Sequence, residues 1–179
     1  MSSDSIPEPW GSFLREIDGF VNGEMRFHCL GGFVVTHLYG SQRSTSDVDF
    51  LTLVQSNDDL IAHAGYGSDL HRRYKIYLDP VGIANVPENY EDRLTAMYPG
   101  SFRKLKLFAL DPYDIALAKI ERNIERDRDD VKHLALVVPF DLEILKYRYH
   151  NELRVYLGNP EREDLTLKLW IEMIEESRV

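Results

Sequence analysis

The chain has 179 residues, of which 44% are hydrophobic, and its formal net charge is −9. This length predicts one domain with a buried core. The excess of acidic residues argues against a surface that neutralises many phosphates, and it leaves only local basic patches for nucleic acid. Cys29 is the one cysteine, which excludes an intrachain disulfide and a multi-cysteine zinc site.

The N-terminal residues contain no charged-then-apolar leader, and no apolar run approaches the roughly 18 residues of a membrane span. We therefore expect a cytoplasmic protein without a membrane partner. Apolar residues at helical spacing then predict a helix within 9–21. Residues 25–40 predict a short strand that leads into Gly31-Gly32, followed by a small helix that ends near Gly40.

The middle of the chain predicts further strands. The segment 47–54, DVDFLTLV, follows the loop 41–46 and has the apolar content of a buried strand, and 104–110 predicts another. Residues 57–67 predict a connecting helix. Residues 71–85 predict a hairpin or paired strands, with Pro80 at the exit.

The segment 111–137 gives the clearest helix signal. Asp111 is a suitable N-cap, Pro112 suits the first turn, and Asp114 stands where a capping box places its acid. A continuous helix would place Lys119, Asn123, Arg126 and Asp130 on one polar face. That face either lets Lys119 contact nucleotide phosphates or is simply solvated.

Two more helices are predicted at 141–157 and 165–176, with the turn 158–162 between them. Strands therefore occupy the first two thirds of the chain and helices the last third, which is typical of the α+β class. We expect a core over 1–110 and a helical C-terminal part over 111–179 that packs on it as a single compact unit.

Two aspartates share one face of the 47–54 strand. Side chains two residues apart point the same way, so Asp47 and Asp49 project together. At about 4 Å two such charges repel by roughly 4 kcal/mol at an effective dielectric near 20. Mg²⁺ or Mn²⁺ would remove that conflict, with Asp79 as a third ligand. The alternative is an edge strand whose acids are solvated.

The glycines before the second helix predict a phosphate site. Gly31-Gly32 would expose backbone N–H groups to a polyphosphate, whereas in a competing register Gly40-Ser41 would do so. In the preferred register Ser41, Arg43 and Thr45 lie in the loop beside the acids. Arg43 then pairs with a phosphate or faces solvent.

These residues resemble the signature of nucleotidyltransferases related to DNA polymerase beta. The motif is GGFVVTHLYGSQRSTSDVDFL followed by YLD, and the resemblance spans residues 25–136. Within that superfamily the chain is most similar to the minimal bacterial group typified by the AbiEii toxins. That group's later motif corresponds here to Lys119, Arg126, Asp127 and Asp130. The interval 33–46 is longer than in the most compact members.

The resemblance implies a small mixed sheet flanked by helices and a metal-dependent transfer of a nucleotide from an NTP. Asp47 and Asp49 would bind the metal ions, while Asp79 binds the catalytic metal or acts as the base. Lys119, Asp127 and Asp130 would serve the nucleotide site. The implied acceptor is a tRNA end, a protein hydroxyl or a small molecule, and the role of a toxin with a cognate antitoxin is also open.

Two further hypotheses concern partners and activity. The basic runs HRRYK and FRKLK are the places where RNA contact is expected. The alternative to an enzyme is a nucleotide-binding or partner-binding module that has the fold without turnover.

Overall fold

The computed structural model describes residues 5–51, 58–82 and 85–179. Its centre is a mixed five-stranded sheet with strand order β3-β2-β1-β5-β4, which confirms the α+β class. The strands are β1 Met25–Leu30, β2 Asp47–Leu51, β3 Tyr77–Val81, β4 Thr95–Met97 and β5 Leu105–Ala109. Strand β1 is antiparallel to β2 and parallel to β5, whereas β2 and β3 are parallel and β4 and β5 antiparallel.

Eight α-helices flank this sheet in the described ranges. They are α1 Trp10–Phe20, α2 Gly31–His37, α3 Asp58–Ala64, α4 Asp69–Tyr74, α5 Pro112–Leu117, α6 Glu125–Val137, α7 Leu142–Arg148 and α8 Pro160–Ser177. Among the described residues no helix is both long and apolar enough to cross a membrane.

Strand β2 is buried on one side only. Val48 and Phe50 are almost fully buried and belong to the core, whereas Asp47 and Asp49 point to the opposite, partly open face. This alternation is the one expected from the sequence. Cys29 on the neighbouring strand is fully buried and unpaired, so it fills the core.

Most elements of the first part are confirmed: α1, the β1–α2 unit, β2, α3 and β5. Residues 52–54, the end of the predicted second strand, lie outside the described residues. The hairpin predicted for 71–85 is wrong. Ser68 caps α4, and β3 then pairs in parallel with β2. Pro80 lies within β3 because an edge strand tolerates proline. Strand β4 was not predicted.

The single helix predicted over 111–137 is also wrong. Asp111 caps α5 as expected, by accepting hydrogen bonds from the backbone of Tyr113 at 2.9 Å and of Asp114 at 3.4 Å. That helix ends at Leu117, and Asn123 has a left-handed backbone with φ +45°. Asn123 therefore does not share a helical face with Lys119, and α6 begins only at Glu125.

The C-terminal part is helical, as expected, with different boundaries. The 141–157 helix consists of α7, one π-helical turn over Tyr149–Leu153 and a short 3-10 turn over Arg154–Tyr156. The last helix begins at Pro160, inside the predicted turn, because the Asn159 side chain caps it by accepting from the backbone N–H of Arg162.

Candidate active site

Three carboxylates meet on one face of β2 and β3. Asp49 and Asp79 are direct neighbours in the parallel pairing, and Asp47 lies two residues before Asp49 on the same strand face. One oxygen atom from each of the three lies within 4.8 Å of the others. The three acids chosen from the sequence are therefore close enough together to bind the same ion.

Burial and mutual repulsion make this cluster electrostatically unfavourable by itself. Burial raises the pKa of Asp49 to about 7, and the charges of Asp47 and Asp79 add to the rise, while Lys119 and Arg122 oppose it. Burial and the charge of Asp47 also raise the pKa of Asp79. Three hard oxygen donors of this kind suit Mg²⁺ or Mn²⁺, so the residues present fit a divalent metal ion.

A chain of ion pairs faces the acids across the cleft. The Arg43 guanidinium donates two hydrogen bonds to Asp130, at 2.8 and 3.1 Å. The Lys119 ammonium lies 3.0 Å from Asp130 and 3.4 Å from Asp127. Arg122 in turn binds Asp127 at 2.5 and 2.8 Å. We call Arg43, Lys119, Arg122, Asp127 and Asp130 the cationic wall.

The two acids of the cationic wall hold its cations in place. Asp127 and Asp130 are buried. Burial alone would raise the pKa of Asp127, but the hydrogen bonds from Arg122 and the charge of Lys119 outweigh it and keep that pKa below its usual value. Both carboxylates are therefore saturated by cations and are not free to bind a metal ion.

We call Asp47, Asp49 and Asp79 the acidic triad, or the triad. Between the triad and the cationic wall lies a cleft of about 440 Å³. The three acids line it together with Gly31, Gly32 and the three cations of the wall, Arg43, Lys119 and Arg122. Arg126 also lines it and forms no ion pair or side-chain hydrogen bond within the described parts of the chain. Lys119 was expected at this cleft both from the family resemblance and from a continuous helix over 111–137. That helix is absent, and the turn after α5 brings Lys119 to the cleft instead.

Gly31 and Gly32 are required by neighbouring side chains. Gly31 has φ +69°, and a Cβ atom there would collide with the Asp49 carboxylate. A Cβ atom on Gly32 would collide with the Arg43 guanidinium. Both residues therefore allow the triad and the cationic wall to approach the backbone.

The loop before β2 contributes unequally. Thr45 donates a hydrogen bond to Asp47 at 3.0 Å and so orients that carboxylate. The Ser41 hydroxyl accepts a hydrogen bond from the Arg43 backbone at 3.3 Å, and the residue lines an adjoining cavity rather than the cleft. Arg43 lines the cleft while its guanidinium is bound to Asp130. This ion pair is a third arrangement beside the two expected ones, pairing with a phosphate and facing solvent.

Arg122 was not among the predicted site residues, although its charge acts on Asp49. Arg122 stands three residues after Lys119, a spacing that places the two side by side even in a continuous helix, so helical spacing could have indicated it. Two signals mark the helix break: Asn123 tolerates a left-handed backbone, and Asp127 stands three residues after Ile124, whose backbone N–H it accepts at 3.2 Å.

The three acids could hold a metal ion, and Arg43, Lys119 and Arg122 line the same cleft. Comparison with protein families matches residues 21–178, most of the chain, to the family described as nucleotidyltransferase of unknown function (DUF6036). The chain therefore belongs to this nucleotidyltransferase family. No curated protein and no solved structure is similar enough to match.

Proposed function

We propose that the protein is a metal-dependent nucleotidyltransferase that moves a nucleoside monophosphate from an NTP to an acceptor hydroxyl. The observation that carries this proposal is the meeting of Asp47, Asp49 and Asp79 within 4.8 Å, across a cleft from the cationic wall. Membership of a nucleotidyltransferase family gives the class of reaction.

Asp47, Asp49 and Asp79 would hold Mg²⁺ or Mn²⁺. A bound divalent ion would offset the charge of the triphosphate and stabilise the transition state. Asp79 lies on the edge strand, and its raised pKa suits a carboxylate that takes the proton of the acceptor hydroxyl. The hydroxyl oxygen would form a bond to the α-phosphorus. The bond between the α-phosphorus and the α–β bridging oxygen would break, and pyrophosphate would leave with that electron pair.

The triphosphate would lie between the acids and the cationic wall. Lys119 and Arg43 would face its phosphates, as would the backbone at Gly31 and Gly32, while Arg126 at the rim offers a cation with no partner in the described ranges. Asp127 and Asp130 would act by positioning these cations. Thr45 would act by orienting Asp47. Ser41 lies outside the cleft, so its expected contact with the nucleotide has no support.

The motifs that carry the resemblance extend this proposal to a DNA polymerase beta-like catalytic core of the AbiEii type. A toxin or defence role would then follow. Controlled expression in a bacterial host tests it: growth arrest by the parent, but not by Asp47→Asn, supports a toxin, and unimpaired growth with soluble parent protein contradicts one.

The experiment that tests the activity uses NTPs labelled at the α-phosphate, cell extract and Mg²⁺. We expect label on an acceptor in the RNA, protein or small-molecule fraction, with no transfer by Asp47→Asn or after chelation. Binding of Mg²⁺ and nucleotide without transfer to any fraction would instead identify a binding module that has lost turnover.

A further inference from the structure

Three aromatic rings cluster at the edge of the sheet beside the acidic triad. The ring centroids of Tyr66, His71 and Tyr77 are 4.8 to 5.2 Å apart in each pair. Tyr66 lies in the turn between α3 and α4, His71 in α4 and Tyr77 at the start of β3. We call these three residues the aromatic platform.

The platform adjoins the triad directly. Tyr77 is the pairing partner of Asp47 on the neighbouring strand, and it precedes Asp79 by two residues, which places both on the same strand face. Strand β2 separates β3 from β1, at whose end Gly31 begins α2. The platform and Gly31 therefore lie on either side of the Asp47-Asp49 strand.

The platform is held in shape although its outer ring is open to solvent. Tyr66 is 80% exposed, an unusual state for a large aromatic side chain. The backbone N–H of Gly67 donates to Nδ1 of His71 at 2.9 Å, and Ser68 caps α4. Because these contacts fix the turn, a flat ligand would find the rings already arranged, at little cost in ordering.

Two basic residues stand close to the platform residues in the chain. Lys75 is exposed two residues before Tyr77, and its ammonium forms no ion pair or side-chain hydrogen bond with the residues that the structure describes. Arg72 on α4 is also exposed, although it pairs with Asp69. Exposed rings with a basic side chain nearby in the chain suit a base and its phosphate.

We propose that the aromatic platform binds an unpaired base of a single-stranded nucleic-acid acceptor, with Lys75 at its phosphate. This inference rests on the proposed function and names the acceptor class: a strand whose base stacks on the exposed ring of Tyr66, beside Tyr77, would bring a terminal hydroxyl towards Asp79. Aromatic stacking tolerates any base, so recognition here depends on single-strandedness more than on sequence.

A binding assay tests this inference independently of nucleotide transfer. The probe is a fluorescent pool of random single-stranded RNAs of about 12 nucleotides, a length within the usual range of site sizes. Fluorescence anisotropy would compare the parent with Tyr66→Ala and Tyr66→Trp. We expect Tyr66→Ala to weaken binding by roughly 5- to 150-fold, the range for loss of one stacked base, and Tyr66→Trp to retain it. Tyr147→Ala, which removes a tyrosine that is 62% exposed on α7, should change nothing.

Calorimetry with MgATP on the same samples separates this inference from the proposed function. Tyr66→Ala should bind MgATP as the parent does. Equal RNA binding by the parent and Tyr66→Ala, or no binding by the parent, would overturn the inference while MgATP binding still supports the proposed function. A matching loss of MgATP affinity in Tyr66→Ala would also overturn it, since the platform would then hold the base of the NTP. A parent that binds RNA but not MgATP would contradict the proposed function alone.

Discussion

Asp49 is the residue at which stability and the proposed function conflict most. Its carboxylate packs against Gly31, is partly enclosed and has two acidic neighbours, so its pKa rises to about 7. Natural proteins accept such strained charges where a ligand later neutralises them. Without a metal ion, the ionised form of Asp49 should therefore weaken the fold.

We predict that Asp49→Asn raises the melting temperature of the metal-free protein by about 3–8 °C at pH 8. The folded pKa, about 7, exceeds the ordinary value of 3.8, so folding takes up a proton between these values. The destabilisation by ionised Asp49 is thus absent below pH about 4 and complete above pH about 7. The rise in melting temperature caused by Asp49→Asn should therefore be smaller at pH 5 than at pH 8.

Thermal melts in chelator at both pH values measure this effect. Asp129→Asn, which neutralises an exposed carboxylate on α6, is the matched control and should shift neither melt by more than the about 0.5 kcal/mol usual for surface changes. A stabilisation of Asp49→Asn that is the same at pH 5 and pH 8 would contradict the assigned pKa.

Gly32 gives a second test at the residue scale. We predict that Gly32→Ala lowers the free energy of unfolding, because its Cβ atom would displace the Arg43 guanidinium from Asp130. Gly19→Ala on α1 meets nothing within 4 Å and should be neutral or stabilising by up to about 1 kcal/mol. In denaturant melts, Gly32→Ala should cost less in an Arg43→Ala background. Equal costs in both backgrounds would show that Arg43 is not the obstacle.

At the scale of elements, local pattern determined what could be predicted. Strand β2 alternates core and cleft residues, and Asp111 caps α5, so both could be read from neighbouring residues alone. The helix break at Asn123 has local signals in Asn123 and Asp127, but it is also held by a remote contact, because Trp170 of α8 donates a hydrogen bond to the Asn123 side chain at 2.9 Å. The shared face of Asp47 and Asp49 was predictable from strand geometry. The approach of Asp79 depended on the parallel pairing of β2 with β3, and the partners of Lys119 depended on this break.

A buried ion-pair network joins α5 to the segments after α7. Arg93 donates two hydrogen bonds to Asp114, both of 2.9 Å, and binds Glu152 at 2.8 Å, while Arg148 pairs with Asp114 from the other side at 3.2 Å. Asp114, expected to complete a capping box, is instead fully buried in this network. The network links the C-terminal helices to the segment before β4.

We predict that Arg93→Ala lowers the free energy of unfolding by about 3–5 kcal/mol, because Glu152 loses its ion-pair partner and the buried Asp114 keeps only Arg148. Arg154→Ala breaks a pair with Asp164 whose side chains are 39% and 37% exposed, and it should cost at most about 1 kcal/mol. Denaturant unfolding of the two variants provides the comparison. Similar losses in both would mean that burial of the Arg93 network adds nothing.

At the scale of the whole molecule, the division into a core over 1–110 and a helical part over 111–179 stays a prediction. Both expected parts contribute to the cleft, since β2 and β3 supply the triad and the α5–α6 region supplies Lys119 and Arg122. If the site is to be maintained, the two parts should fold together. The two tryptophans report on them separately, because Trp10 is in α1 and Trp170 in α8.

Trp10→Phe and Trp170→Phe each leave one fluorescent tryptophan. We predict that in each variant the denaturation midpoint measured by fluorescence equals the midpoint measured by circular dichroism. Coincident fluorescence and circular-dichroism curves are the mark of one cooperative unit. A fluorescence transition that precedes the loss of helix in one variant would show that the two parts unfold independently.

The most direct test of the central claim is a calorimetric titration with a non-transferable NTP analogue, whose α–β bridging oxygen is replaced by carbon, in Mg²⁺ and in chelator. The triad should bind the metal ion together with the triphosphate. We predict saturable binding by the parent in Mg²⁺, loss of that binding in chelator, and its loss in Asp47→Asn and Asp49→Asn although both variants remain folded. Binding that persists unchanged in both folded variants would contradict the assignment of these acids to the metal site.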